Sequence, residues 1–244
     1  MKYDDTIIVI PARYGSTRLP GKSIADINGI PMVARVMNIA KNINLCNVIV
    51  ATEDKSVIQI VEKFDGKALL TSNDLKSGTD RVFQALQKLN REYKYIVNLQ
   101  GDMPNIKGEI IKKVIDLLHD NNDADIITAV CKTQNQDLLK KPQCVKAVLA
   151  YNQNKDFHKC LYFSRSIVPY NCTDGYIHIG IYGYKQESLK KFVSLPQSNL
   201  EKIEKLEQLR ALENNMHIYT FITDNLPIGV DTKEDLDLAR QIIK

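Results

Sequence analysis

The chain has 244 residues, of which 44% are hydrophobic and 25% are charged, and its formal net charge is +4. A globular chain of this length buries about 70–75% of its unfolded surface, so it needs no disulfide or metal cross-links. No apolar run approaches the roughly 20 residues that span a bilayer, and acids alternate with the basic residues, which disfavours a nucleic-acid-binding protein.

The N-terminal stretch "MKYDDTIIVI" has acids where a signal peptide has a basic region, so we expect a cytoplasmic protein without membrane insertion. The five cysteines are scattered, with no CxxC pair and no histidine at metal-ligand spacing. We therefore expect reduced, mostly buried thiols at Cys46, Cys131, Cys144, Cys160 and Cys172.

Short β-branched runs alternate with amphipathic stretches in the first part of the chain. The order is "TIIVI", "PMVARVMNIAKNI", "NVIVAT", "SVIQIVEKF", "KALLT", "TDRVFQALQKLN", "YKYIVNLQ", "IKGEIIKKVIDLLHD" and "ADIITAV". This alternation predicts an α/β fold with a doubly wound, mostly parallel sheet. Ligands of such sheets gather at the carboxyl ends of the strands.

After residue 143 strand-like segments cluster as "VKAVLA", "KCLYFS" and "YIHIGIYGY". Two helical stretches, the strand "HIYTFIT" and a final helix "TKEDLDLARQII" follow. We interpret residues 144–185 as a small strand-rich lobe inserted in a single domain that spans residues 1–244. The charge pattern of "NLEKIEKLEQLRALE" predicts a solvated helix.

The loop "VIPARYGSTRLPGKS" raises the question of a P-loop ATPase. A Walker A motif has four residues between its glycines and a helix that begins at the Gly-Lys pair. Here five residues separate Gly15 from Gly21, and "SIADINGIP" after Lys22 predicts an extended hairpin with an Asn-Gly turn. The next helix is expected near Pro31, which argues against a P-loop.

The same loop nevertheless has the chemistry of a triphosphate site. Arg13, Arg18 and Lys22 offer three positive charges to a ligand with about four negative ones. Gly15 and Gly21 permit close approach of the backbone. The alternative is a surface loop with chance cations.

Two carboxylates are candidate Mg²⁺ ligands. Asp102 follows the strand "YIVNLQ", and Asp231 precedes the final helix, so both are expected near the ligand edge of the sheet. The structural alternatives are a turn residue for Asp102 and, for Asp231 or Thr232, a helix N-cap with Asp235 in a capping box.

Other candidates have good structural explanations of their own. In "SNDLKSGTDRVF", Ser77 and Thr79 cap a helix, and Arg81 in its first turn indicates a ligand or an acidic neighbour. Among the later segments, strand-like stretches carry Arg165, His178 and Tyr182, and a charged helix carries Glu207 and Gln208. On composition alone, the better interpretation is a satisfied core or surface histidine for His178 and a solvated helix face for Glu207.

Eight blocks occur in the order and spacing of one family: "IPARYGSTRLPGKS", "ATED", "SGTDR", "VNLQGDMP", "LYFSRS", "HIGIYGY", "LEQLR" and "VDTKEDL". Over nearly its whole length the chain resembles the 3-deoxy-D-manno-octulosonate (Kdo) cytidylyltransferases. The resemblance implies a Rossmann-like nucleotidyltransferase that is Mg²⁺-dependent and dimerises through the strand-rich lobe. It also implies the reaction of CTP with Kdo to give CMP-Kdo and pyrophosphate, for lipopolysaccharide biosynthesis.

The resemblance also implies roles for individual residues, with Arg13, Lys22 and Asp102 in catalysis. The CTP phosphates would be held by Arg13, Ser16, Arg18 and Lys22. The cytosine pocket would be shaped by Ser77, Gly78 and Arg81, and Mg²⁺ held by Asp102 and Asp231. Gln100 would border both nucleotide and sugar, and the sugar acid would be bound by Arg165, His178, Tyr182, Glu207 and Gln208.

The chain departs from the family pattern at three places. Met103 stands where many members have a glutamate, Leu75 where a histidine is frequent, and the stretch 171–176 is short. Roles at these positions are therefore not transferred.

Several functions compete with Kdo activation. A cytidylyltransferase for 8-amino-Kdo or a nonulosonic acid is the nearest. A sugar-1-phosphate nucleotidyltransferase would need further cations around the sugar, and a non-catalytic nucleotide-binding module would not need the paired carboxylates.

Overall fold

The computed structural model describes residues 2–15, 18–150 and 156–243. Contacts between residues divide the chain into two compact units, the first formed by Met1–Lys113 with Pro227–Lys244 and the second by Val114–Leu226. The single domain with an inserted lobe stays a prediction. None of the helices in the described ranges is long and apolar enough to cross a membrane.

The strands and helices alternate along the first half of the chain much as the sequence predicts. The strands are β1 (Thr6–Pro11), β2 (Asp26–Ile27), β3 (Ile30–Pro31), β4 (Asn47–Thr52), β5 (Ala68–Leu70), β6 (Tyr95–Leu99), β7 (Ile126–Thr133), β8 (Lys146–Ala150), β9 (His158–Ser164), β10 (Gly175–Lys185) and β11 (Ile218–Thr223). The helices are α1 (Met32–Asn42), α2 (Lys55–Lys63), α3 (Gly78–Gln87), α4 (Gly108–Asp120), α5 (Gln136–Lys140), α6 (Gln186–Ser194), α7 (Asn199–Glu204), α8 (Leu209–Glu213) and α9 (Lys233–Ile242).

The first unit contains a parallel sheet in the order β5-β4-β1-β6. Every residue of β1 is buried, as expected of a central parallel strand covered on both faces. A separate hairpin of β2 and β3 turns at Asn28 (φ 50°) and Gly29 (φ 85°), both in the left-handed region that an Asn-Gly hairpin turn requires. The predicted turn is therefore confirmed, as is a helix beginning next to Pro31.

The second unit has mixed strands in the order β10-β7-β11-β9-β8, and β10 also pairs with β8. Only β7 and β11 run parallel among these pairs; β7–β10, β9–β11, β8–β9 and β8–β10 are antiparallel. The prediction of a mostly parallel sheet is wrong for this unit. One reason is that the seven residues from the end of β8 to the start of β9 are too few for the crossover of a dozen or more residues that parallel neighbours need.

The predicted solvated helix of "NLEKIEKLEQLRALE" is also wrong. The segment divides into α7 and α8, with Lys205 between them at φ 54°. Glu201 and Arg210 are buried, because their side chains form a two-point ion pair with N–O distances of 2.8 and 2.6 Å. Glu207 and Gln208 consequently lie in the turn that precedes α8 rather than on a helix.

The cysteines fit the expectation of reduced thiols. All five are thiols rather than members of disulfides, and Cys46, Cys131 and Cys160 are buried. Burial raises the pKa of the Cys46 thiol to about 12, so this side chain is an inert part of the core.

Candidate active site

The loop after β1, residues 12–22, is closed by its own backbone; we call it the phosphate loop. The Gly21 N–H donates to the carbonyl of Tyr14 (3.1 Å), and Gly21 lies in the left-handed region at φ 68°. Lys22 opens a single 3₁₀ turn, and in the described residues from there to Pro31 no α-helix begins. This geometry differs from a Walker A loop, as the glycine spacing predicts. Ser16, a predicted phosphate ligand, lies outside the described residues.

A cluster of charges forms where the phosphate loop meets two other segments of the first unit. The Lys22 ammonium lies 2.9 Å from Asp102 Oδ2 and 3.0 Å from Asp231 Oδ1. Arg18 reaches the second carboxylate, with 3.1 Å between its guanidinium nitrogen and Asp231 Oδ2. The expected convergence of Asp102 and Asp231 is therefore observed.

Local structure holds both carboxylates in place. Asp102 follows β6, and its carbonyl accepts a hydrogen bond from the Val230 N–H (2.9 Å). Asp231 precedes α9, whose N-cap Thr232 forms a capping box with Asp235, and the Asp235 carboxylate also accepts from the Asp231 N–H (3.0 Å). The predicted cap and the convergence on Lys22 thus coexist.

The charges of this cluster stabilise one another. Burial opposes ionisation of Lys22, but Asp102 and Asp231 outweigh it, so the lysine pKa is raised. Burial likewise opposes ionisation of Asp231, but Lys22 and Arg18 outweigh it, so the aspartate pKa is lowered. Both groups are therefore charged across the neutral range.

Arg13 and Arg81 contact a second loop of the first unit, residues 71–77, which we call the base loop. Arg13 donates to the Leu75 carbonyl (2.9 Å). Arg81 is almost fully buried; it donates to Thr71 Oγ1 and lies 3.0 Å from a carboxylate oxygen of Glu53. Of the two explanations for an arginine in the first turn of α3, the acidic neighbour is confirmed.

Ser77 caps α3, as the sequence predicts. Its hydroxyl accepts from the Asp80 N–H (3.0 Å), and the Asp80 carboxylate accepts from the Ser77 N–H (3.1 Å). A Cβ at Gly78 would lie 3.4 Å from Pro11 Cγ and 3.5 Å from Gln100 Oε1. The glycine therefore keeps open the space beside Gln100 at the end of β1.

In the second unit, His178 and Tyr182 lie on β10 with their ring centroids 5.4 Å apart. The Thr128 hydroxyl donates to the Ile181 carbonyl (2.8 Å), so it accepts from His178 Nε2 (2.9 Å), which fixes the histidine tautomer. Burial lowers the pKa of His178 to about 3, so the ring is neutral. Burial, with a contribution from the Glu207 charge, raises the pKa of Tyr182. These three predicted sugar-site residues are therefore near one another.

Arg165 has a different environment in the second unit. Its guanidinium donates to the carbonyls of Glu204 (2.8 Å), Pro142 (3.0 Å) and Lys205 (3.1 Å). Gln208 is buried at the start of α8. The predicted contact of Arg165 with a substrate carboxylate stays a prediction.

Comparisons with known proteins bear on the whole chain. A family model described as cytidylyltransferase matches residues 7–218. The 3-deoxy-manno-octulosonate cytidylyltransferase of Elusimicrobium minutum is 47% identical, with 98% of each chain covered. The protein of the same name from Paramagnetospirillum magneticum is 45% identical over 98% of this chain and 97% of its own length. The chain belongs to the 3-deoxy-manno-octulosonate cytidylyltransferase family.

Solved structures agree with this family assignment. A CMP:2-keto-3-deoxy-manno-octonic acid synthetase complexed with CTP is 36% identical, with a TM-score of 0.89 and 98% of each chain covered. The 4-diphosphocytidyl-2C-methyl-D-erythritol synthase of Anaerococcus prevotii is 14% identical, with a TM-score of 0.63 over 98% of each chain, and it shares the fold. The protein is a nucleotidyltransferase with the α/β fold of that class, as the sequence predicts.

The acidic residues of the charge cluster fit the magnesium ion that the family resemblance implies. Asp102 and Asp231 both contact the Lys22 ammonium, so two carboxylates already hold a cation between them. One or two carboxylates together with substrate phosphates form the usual protein site for Mg²⁺. Among the described residues, no group of three or more His, Cys, Asp or Glu side chains is arranged to hold a metal, so phosphate oxygens would complete the coordination.

Glu53 was not among the predicted site residues. It directly follows β4, and one carboxylate oxygen accepts from the Tyr14 N–H (2.9 Å) while the other contacts Arg81. The block "ATED" contains this residue, and the arginine in the first turn of α3 indicates a ligand or an acidic neighbour. These two signals together could have identified it.

Proposed function

We propose that the protein transfers CMP from CTP to the anomeric hydroxyl of Kdo and releases pyrophosphate. The observation that carries this proposal is the charge cluster in the first unit, where loop cations meet two carboxylates that follow β6 and precede α9. Cytidylyltransferases, the family to which this chain belongs, use a nucleoside triphosphate. The charge cluster offers the positive groups and the metal-ligating carboxylates that such a substrate needs.

The triphosphate would be bound by Arg13, Ser16, Arg18 and Lys22. The Lys22 side chain is only 17% exposed, so its charge acts with little screening by water. Positive charge fixed in this way stabilises the α-phosphate as negative charge develops on it and on the departing pyrophosphate. Lys22, Arg13 and Asp102 are thus the proposed catalytic residues.

In the reaction itself, the anomeric oxygen of the sugar acid forms a bond to the α-phosphorus. The bond from this phosphorus to the bridging oxygen of the β-phosphate breaks in line with the attack, and pyrophosphate leaves with that oxygen. The hydroxyl proton passes to solvent. Orientation of both substrates by the loop and the sugar residues supplies much of the rate enhancement.

Asp102 and Asp231 would hold Mg²⁺, and the Lys22 ammonium would then turn from them toward the phosphates. When bound, the metal would supply positive charge that offsets the negative charge of the phosphates. The base would be bound beside Ser77, Gly78, Arg81 and Gln100, since Gly78 leaves room next to the Gln100 amide.

For the sugar acid, the proposed residues are Gln100, Arg165, His178, Tyr182, Glu207 and Gln208. The neutral His178 donates to Thr128, which leaves its Nδ1 as an acceptor for a sugar hydroxyl. Arg165 is the candidate for the carboxylate because a guanidinium pairs with it through two parallel hydrogen bonds.

The wider proposal is a cytoplasmic homodimer that works in lipopolysaccharide biosynthesis. Leu161, Ile167 and Tyr170 of the strand-rich lobe are 53, 42 and 91% exposed, which favours burial of this lobe against a second copy.

The helices α1, α2 and α3 connect the parallel strands of the first unit, as a doubly wound arrangement needs.

Pyrophosphate release tests the reaction. The enzyme is incubated with CTP, UTP or ATP and with Kdo, 8-amino-Kdo, a nonulosonic acid or a sugar 1-phosphate. We expect the largest kcat/KM with CTP and Kdo, and no release when EDTA removes Mg²⁺. Preference for another sugar acid would change the assigned acceptor, and preference for a phosphorylated sugar would refute Kdo activation. Nucleotide binding without pyrophosphate release would indicate a binding module.

A further inference from the structure

We propose that Glu53 is a positioning residue that ties the phosphate loop to the base loop, so that CTP meets both in one fixed arrangement. The inference rests on the proposed use of CTP and adds a residue to which no role has been given. Glu53 itself would touch neither the phosphates nor the base. It would act through the Tyr14 backbone on one side and through Arg81 on the other.

The two oxygens of the Glu53 carboxylate contact different elements. Oε1 accepts the Tyr14 N–H at 2.9 Å, and Oε2 lies 3.0 Å from the Arg81 guanidinium. Glu53 follows β4 directly, so its backbone is fixed by the central sheet of the first unit. A rigid strand end therefore holds one point in the phosphate loop and one point in α3, directly after the base loop.

On the phosphate side, the bond to Tyr14 reaches the predicted catalytic lysine in two steps. The carbonyl of the same residue, Tyr14, accepts from the Gly21 N–H (3.1 Å), which closes the loop. Gly21 is followed directly by Lys22. Loss of the Tyr14 anchor would therefore loosen the point from which Lys22 extends toward its ligands.

On the base side, Arg81 connects Glu53 to the residues of the base loop. Its guanidinium donates to Thr71 Oγ1 and to the Ser72 carbonyl (3.2 Å). Gln84, one turn further along α3, accepts from the Ser72 N–H (2.6 Å) and donates to the Ser72 hydroxyl (2.8 Å). This loop precedes Ser77 and Gly78, two of the proposed base-pocket residues.

Charge and burial explain why a carboxylate is needed at this position. The Arg81 side chain is 1% exposed and that of Glu53 is 11% exposed, so water compensates neither charge well. Arg13 is near enough to disfavour the Arg81 charge, and Glu53 favours it. Replacing Glu53 by glutamine keeps the size of the side chain but leaves the buried Arg81, with the Arg13 charge nearby, without its counter-ion.

Binding measurements on intact variants separate the two sides of this anchor. Glu53→Gln keeps an amide oxygen for the Tyr14 N–H and loses the charge that holds Arg81. Glu53→Ala loses both contacts. Glu62→Gln removes an exposed carboxylate of α2 in the same unit and is the matched control. Calorimetry gives the Kd of CTP and of inorganic tripolyphosphate, and thermal unfolding monitors the fold.

We expect E53Q to weaken CTP binding about tenfold, since the nearly buried Arg81, which supports the base loop, loses the charge that faces it. Its affinity for tripolyphosphate should change by less than about twofold, because the Tyr14 contact remains. E53A should weaken both ligands about tenfold or more, and E62Q neither. In steady-state assays, E53Q should raise the KM for CTP more than it lowers kcat.

Other outcomes overturn the proposal. If E53Q unfolds at a lower temperature but binds CTP like the wild type, the Glu53–Arg81 pair serves stability alone. If E53A does not fold, the E53Q result decides; if it folds and keeps its affinity for tripolyphosphate, the link to the phosphate loop is wrong. A wild-type enzyme that does not bind CTP would instead contradict the proposed function, before any variant is compared.

Discussion

Two ion clusters, one in each unit, use similar contacts in different surroundings. In the first unit, Lys22 contacts Asp102 and Asp231 at 2.9 and 3.0 Å, and the two carboxylates are 30 and 40% exposed. In the second, Arg210 contacts Glu201 at 2.6 and 2.8 Å, and both side chains are less than a tenth exposed. The difference lies in access to water rather than in the length of the contacts.

This difference indicates what each cluster is for. The Arg210 guanidinium is held at two points by Glu201 and stacks on Phe192 with 4.9 Å to the ring centroid, and both of these partners belong to the fold itself. Lys22 shares one ammonium between carboxylates that water and ions can still reach. The Lys22 cluster can therefore exchange a partner for a ligand. The Arg210 pair, in contrast, is part of the buried structure, and removing one member would destabilise the fold.

The largest expected effect is on stability, at Arg210. Arg210→Met leaves the Glu201 carboxylate buried without its counter-ion, which should lower the free energy of unfolding by about 3–5 kcal/mol. Urea unfolding monitored by circular dichroism measures this loss. Arg91→Met, which breaks the exposed pair with Asp4, is the control and should cause no measurable change. Equal effects of the two variants would remove the distinction between buried and exposed pairs.

The next effect is on turnover, at Lys22. Lys22→Met should lower kcat by about 10²–10³-fold, as loss of one fixed charge-stabilising donor does in other enzymes. Its urea midpoint should change little, because Asp102 and Asp231 can be hydrated. Lys41→Met, in which an exposed ammonium loses its bond to the Asp65 carbonyl, is the matched control and should leave kcat unchanged. A K22M variant that is unstable but active would reverse the comparison of the two clusters.

His178 provides a pH-dependent test within the second unit. The pKa of His178 in the folded protein is about 3, below the ordinary value of about 6.5. Between these two pH values the unfolded chain binds a proton on this ring and the folded chain does not. The wild type should therefore lose stability as the pH falls below about 6.5, by up to about 1.4 kcal/mol per pH unit from this group. In His178→Gln this contribution is absent.

Unfolding in urea at pH 7, 6 and 5 measures the slope for both proteins. The difference between the wild type and H178Q isolates the histidine from the carboxylates, which titrate in both. His217→Gln removes an exposed histidine and serves as the control. Identical slopes for the wild type and H178Q would show that His178 binds a proton equally well in the folded and unfolded protein, and would contradict the lowered pKa of the folded state.

The first unit could be predicted largely from sequence because its signals are local. Buried β-branched runs gave its strands, and the Asn-Gly pair gave the hairpin turn at Asn28 and Gly29. The convergence of Asp102 and Asp231 followed from their positions beside a strand end and a helix start. Glu53 was missed because its significance depends on two partners, Tyr14 and Arg81, that are distant in sequence.

The second unit differs from the sequence-based prediction where charged residues are buried although their charge pattern is typical of the surface. Glu201 and Arg210 belong to a segment whose alternating charges are typical of a solvated helix, yet both are buried in α7 and α8. A charge pattern does not reveal that two members will pair away from water, since this depends on packing against Phe192 of α6. The mixed strand directions likewise depend on which strands pair, beyond the local pattern.

The smallest effect tests whether the cap of α9 serves the charge cluster as well as the helix. Thr232 accepts from the Asp235 N–H (3.2 Å), and Asp235 in turn accepts from the Asp231 N–H (3.0 Å). Thr232→Ala should cost about 1 kcal/mol of unfolding free energy, the usual effect of losing an N-cap. It should also raise the KM for Mg²⁺, because the backbone of Asp231 loses part of its support.

A cap in the second unit provides the comparison for this variant. Asn135 caps α5 by accepting from the Asp137 and Leu138 N–H groups at 2.9 and 3.2 Å. Asn135→Ala should cost a similar free energy of about 1 kcal/mol and leave the KM for Mg²⁺ unchanged. Thr232→Ser, which retains the hydroxyl, should restore both quantities. If T232A and N135A changed the KM equally, Thr232 would stabilise a helix only, and the position of Asp231 would depend on Lys22 and Arg18 alone.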